Sequence, residues 1–264
     1  MLPPSPDRSL PLPVTLVSLL LGLVGMNLAA LLSPFGMRPT LLLGHTALLM
    51  PFVLSALSLR RTPREAFAVQ PIGTRGVLLS TVYGAALWLA SAGLLQLQYV
   101  LWPLPPGVLE FFERLHAKLE LWPPWNGALS LLTIAIWPAI TEEVVFRGAL
   151  LGSLRRAGNG AAVALSAGLF ALIHIPPGGY RVPFALALGL ALGALRLRTE
   201  SIVPAVVAHA VVNATTVAVT AQFGAAAEPT ASASVTVAIG LLAFGTAAGA
   251  AAAFALRPSR APLE

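Results

Sequence analysis

Between Pro13 and Leu256 the sequence returns eight times to an apolar stretch of 15–26 residues. Outside the fourth, none of these holds more than one Asp, Glu, Lys or Arg. About 20 apolar residues in a helix cross the ~30 Å hydrocarbon core of a bilayer, and a helix satisfies its own backbone polar groups there. The expected fold is therefore all-α: a polytopic transmembrane bundle of about eight spans, read as one integral membrane domain over 1–264. Charged residues make up 10% of the chain, against about a quarter in a soluble domain, and the mean hydropathy is +0.83.

The spans are placed at about 13–32, 40–59, 76–101, 127–151, 161–175, 182–197, 202–221 and 235–256, with breaks at Pro34-Phe35-Gly36, Gly158-Asn159-Gly160 and Pro176-Pro177-Gly178-Gly179. A cleavable signal sequence has a shorter apolar core and a more basic start than Asp7-Arg8, so the first run is read as a span. Between the third and fourth spans, Val108, Phe111, Phe112, Leu115 and Leu119 recur at helical spacing against Glu110, Glu113, Arg114, Lys118 and Glu120. That pattern predicts one interfacial amphipathic helix within 103–125, with Trp102, Trp122 and Trp125 at headgroup level. The chain thus divides into N-terminal spans with the interfacial helix (13–125), a core carrying the polar motifs (127–221) and a last span (235–256).

The formal charge is +6, yet the basic residues stand singly or in pairs at the ends of apolar runs, a pattern of membrane orientation and not of nucleic-acid binding. Eight spans put both termini on one side. Eleven arginines fall on that side, among them Arg60, Arg61, Arg64, Arg155 and Arg156, against four basic residues opposite. The positive-inside rule then predicts a multi-pass cell-membrane protein with both termini cytoplasmic. With no cysteine, thiolate chemistry and Cys-ligated metals are excluded.

The fourth span contains Thr141-Glu142-Glu143-Val144-Val145-Phe146-Arg147. Charges within a bilayer cost at least ~2.5 kcal/mol each, so they persist where they face a protein interior and act. Glu143 and Arg147, four apart with the acid first, are spaced as a helical ion pair. Glu142 lies ~100° round the helix from Glu143, without an adjacent cation, and suits general acid or base work. Pro138 is expected to kink the span and open space beside the carboxylates. Further on come His174 in the fifth span, and His209 and Asn213, at i and i+4, in the seventh.

Counted from their cytoplasmic ends, Glu142 is 13 positions from Arg155, His174 is 15 from Asn159 and Asn213 is 13 from Glu200. At 1.5 Å per residue all three lie roughly 20 Å deep, so three helices can converge them on one cavity. His45, Asn27, Gln96 and Gln98 read as ordinary helix–helix partners, and His116 as a solvated residue. Gly189-x3-Gly193 and Gly245-x3-Gly249 allow close helix approach within the bundle.

Glu142-Glu143-x3-Arg147, Phe170-x3-His174 and His209-x3-Asn213, in that order, resemble the three motifs of the CPBP family of intramembrane glutamic endopeptidases, which takes in CAAX prenyl proteases of the Rce1 type and the Abi proteins. The resemblance covers about 137–216. It implies peptide hydrolysis near the C-terminus of a membrane-associated substrate, without metal or other cofactor. By position, Glu142 with His174 activates water, His209 with Asn213 stabilises the oxyanion, and Glu143, Arg147 and Phe170 support them. The expected partners are membrane lipid and a peptide or membrane-anchored protein. Zinc held by the two carboxylates and two histidines is the alternative, weakened by the absence of a His-Glu-x-x-His spacing. The rival functions are a non-catalytic immunity or scaffold protein and a proton-coupled transporter.

Overall fold

The computed structural model describes residues 9–34, 36–105, 107–108, 110, 124–176, 179–223 and 234–256. The expected interfacial helix falls almost wholly outside them. Among the described residues there is no strand. The helices are α1 (Leu12–Leu32), α2 (Met37–Ser58), the short α3 (Pro63–Phe67), α4 (Gly73–Leu101), α5 (Asn126–Ala157), α6 (Asn159–Leu172), α7 (Val182–Thr199), α8 (Val203–Phe223) and α9 (Val235–Ala255).

Seven of these are long and apolar enough to cross a membrane, and all seven match expected spans to within six residues at either end. The eighth, α6, has 14 residues, about 21 Å of helix, because the chain turns out of it at Ile173 and His174. The chain nonetheless reverses there. Arg155, at the end of α5, donates to Glu200, just beyond α7, at 3.0 and 3.3 Å. α7 therefore returns to the level at which α6 began.

The same contacts fix which segments share a face. Gln70 and Ser201 hydrogen-bond to each other's segments, and Arg198 reaches the carbonyls of Ala253 and Phe254 at the end of α9. Ser9 lies against Gly152 near the end of α5. Both ends of the described chain thus lie on one face with Arg60, Arg61, Arg155, Arg156 and Arg198. On the opposite face Arg38, entering α2, donates to Asn126, entering α5, at 3.2 Å. A capping box, Thr62 with Glu65, starts α3 on the arginine-rich face.

Among these helices α9 packs along α4, α1 along α2, and α6 along α7, while α8 sits between α4 and α5. Small residues set the separations. A Cβ on Gly245 would come within 2.6 Å of the Ala86 carbonyl oxygen and 2.9 Å of Ala90 Cα, both on α4, so the backbones touch where Gly245-x3-Gly249 allows it. Gly245→Leu is expected to destabilise the bundle by about 1–3 kcal/mol. Gly240→Leu, on the same helix with nothing within 4 Å of that position, should leave the melting temperature in detergent unchanged.

Candidate active site

The centre of the site is a helix with two wide turns. In α5 the backbone bonds run i→i+5 over Leu131–Ile136 and again over Glu143–Leu150, with ordinary α-helix over Trp137–Glu142 between them. The break expected at Pro138 takes the form of the first wide turn. Proline lacks an N–H and its ring clashes with the carbonyl four residues back, and widening the preceding turn relieves both. In the second, the Phe146 carbonyl also accepts from Ser166 on α6 at 2.7 Å, so the neighbouring helix completes its bonding.

That second turn carries the charges. Arg147 Nη1 donates to Glu143 Oε1 at 2.8 Å, and both side chains are fully buried. The guanidinium carbon lies 4.3 Å from the centre of the Phe170 ring, a cation–π contact that uses a face its remaining N–H groups leave open. Its Nε and Nη2, and Glu143 Oε2, have no hydrogen-bond partner among the described residues. Room for the guanidinium comes from α7, where a Cβ on Gly189 would lie 3.3 Å from Arg147 Nη2.

His209 on α8, 3% exposed, joins the two acids. A carboxylate only accepts, so the ring's Nδ1–H donates to Glu143 Oε1, at 2.9 Å. On the ring's other side, Nε2 is 3.8 Å from Glu142 Oε2. The two adjacent carboxylates therefore bracket one imidazole, although a 100° helical step directs them apart. The wide turn beginning at Glu143 narrows that angle somewhat, and both side chains are long enough to reach the rest of the way.

His174 is held in the same tautomer. Its Nδ1–H donates to the Phe170 carbonyl at 2.8 Å, leaving Nε2 as an acceptor, and its ring lies 4.7 Å from that of Phe170. Phe170 also meets His209 edge-on at 6.0 Å and Phe146 at 5.3 Å, so it is the apolar hub joining α5, α6 and α8. Among the described residues His174 and Glu142 share no hydrogen bond or ion pair. Asn213, one turn beyond His209, places Nδ2 3.5 Å from the Ala135 carbonyl, a long bond that is readily exchanged.

His45 makes the helix–helix contact expected of it, and the helix it meets is the one that carries the acids. His45 on α2 has Nδ1 3.1 Å from Thr141 Oγ1 and 3.9 Å from Glu142 Oε1. Its nearness to Glu142 was not expected, although the depth count points to it, since His45 stands fifteen positions before Arg60. Among the described residues no three His, Asp or Glu side chains are arranged to hold a metal ion.

The site so assembled has one carboxylate neutralised in place by an arginine, a second flanked by two imidazoles, and a third imidazole with a free acceptor nitrogen. Such a set can move a proton to and from water. No curated protein and no solved structure matches the chain. A family model does, that of the type II CAAX prenyl endopeptidases described as Rce1-like, over residues 123–215, which run from the start of α5 to beyond Asn213. The match carries the general class with it, a hydrolase of peptide bonds. The part of the chain that holds Glu142, Glu143, Arg147, Phe170, His174, His209 and Asn213 is thus similar to the Rce1-like type II CAAX prenyl endopeptidases.

Proposed function

We propose that the protein is an intramembrane endopeptidase in which Glu142 activates the attacking water, cutting near the C-terminus of a membrane-associated peptide or protein. The observation that carries this reading is the environment of Glu142. It is 7% exposed, with His209 and His45 at 3.8 and 3.9 Å, while the neighbouring acid is already committed to Arg147. In the reaction Glu142 takes a proton from water, whose oxygen bonds to the scissile carbonyl carbon. The C–N bond then breaks, and the proton passes from Glu142 to the leaving amine. His174 Nε2, unprotonated in the neutral ring, accepts the water's second hydrogen as a hydrogen bond and orients it.

Asn213 Nδ2 and His209 Nε2 donate to the oxyanion. For His209 this has a requirement: Nδ1–H is spent on Glu143, so Nε2 donates only when the ring carries both protons. The arginine-rich face, with both described ends of the chain, is assigned to the cytoplasm on the positive-inside rule.

Comparative peptidomics of membranes carrying wild-type or Glu142→Gln protein tests the reading. New C-terminal fragments should appear with the wild type alone. A phenotype that persists in Glu142→Gln and His174→Ala would instead favour a binding or immunity protein, and proton-driven solute uptake in liposomes a transporter. Metal dependence is tested separately: cleavage by the purified protein should be unchanged in chelator. Loss of activity that zinc restores would replace glutamate-only catalysis with a metal mechanism.

A further inference from the structure

The segment that matches the family begins at residue 123, so nothing in that match speaks for α2. Yet α2 brings an imidazole, its side chain 12% exposed, up to the acids of α5. The hydroxyl of Thr141 has a single hydrogen, and it is directed at the carbonyls of Trp137 and Pro138, both 3.0 Å away on its own helix. Its contact with His45 Nδ1 at 3.1 Å must then be a bond that the imidazole donates. The same nitrogen is 3.9 Å from Glu142 Oε1. The ring is also within electrostatic reach of His174 and His209.

We infer that His45 is a positioning residue for Glu142. Its Nδ1–H, held by Thr141, pins the short α-helical stretch between the two wide turns of α5 to α2 and fixes the direction in which the Glu142 carboxylate points. The stretch needs such a pin. It spans only Trp137–Glu142, and the turns on either side are of the less regular, wide kind. A general base acts only when its carboxylate meets the water in productive geometry, and a displacement of about 1 Å costs on the order of a hundredfold in rate.

This inference rests on the peptidase reading, and the experiment separates the two. The substrate is an internally quenched synthetic copy of a peptide whose cleavage depends on Glu142. His45→Leu is expected to lower kcat by about 10- to 100-fold with KM within about twofold, as for a residue that acts through Glu142 and not on the substrate. His45→Asn, whose amide nitrogen takes the place of Nδ1, should recover most of the loss. His45→Gln, with its amide at the position of Nε2, should not.

An Asn variant no better than Leu, a loss carried by KM, or full kcat in His45→Leu overturns the proposal. Should His45→Leu fail to fold, the comparison of the Asn and Gln variants decides alone. Nitrogen-15 NMR of labelled histidine provides a second readout that needs no substrate. The His45 ring should carry its proton on Nδ1 in the wild type and change its signal in Thr141→Val. A ring unprotonated at Nδ1 overturns the positioning role whether or not the protein is a peptidase. If no cleavage depends on Glu142, the peptidase reading fails and the NMR result still stands.

Discussion

Glu142→Gln lowers kcat/KM by about 10²–10⁴-fold while the melting temperature in detergent stays within a few degrees of the wild type. The amide has the volume of the carboxyl and retains polar atoms facing His45 and His209, 3.9 and 3.8 Å away, so packing around it is preserved. What it loses is the capacity to take a proton from water. Steady-state cleavage of a quenched peptide, read beside thermal unfolding, provides both numbers. Activity within tenfold of wild type in a folded Gln variant would assign the base elsewhere.

Arg147→Met produces the largest loss of stability, about 3–5 kcal/mol, seen as a drop in melting temperature on the order of 10 °C. Methionine fills much of the arginine's volume and keeps contact with the Phe170 ring, so the loss is not one of packing. It arises because Glu143, fully buried and with no hydrogen bond to Oε2 among the described residues, is left with its charge opposed, among those residues, by His209. Removing the charge at the same time should reverse much of the effect. Glu143→Gln with Arg147→Met is expected to melt well above Arg147→Met, the amide oxygen still accepting from His209 Nδ1. A double variant no more stable than the single one would show that the ion pair is not the source of the loss.

What could be read from the sequence divides along physical lines. Span positions depend on the length of an apolar run, so Leu12–Leu32, Met37–Ser58 and Val235–Ala255 lie within three residues of where hydropathy places them. The exit from α6 at Ile173 depends instead on a local turn that an apolar count does not register, hence the shorter helix. The Glu143–Arg147 pair was legible from spacing alone. The bracketing of His209 by both carboxylates was not, because a 100° step assumes an α-helix and the backbone at Glu143 is wider. That widening is settled by tertiary partners, Ser166 among them, which no local pattern reveals. His45 was read as a helix–helix partner, which it is, but its own span does not reveal that the helix it meets carries Glu142.

The crowding of imidazoles about one carboxylate bears on how substitutions here combine. With His45 and His209 both within 4 Å of Glu142, and His209 bonded in turn to Glu143, a change at one position is felt at its neighbours. Two members replaced together should therefore change stability by an amount that departs from the sum of the separate effects.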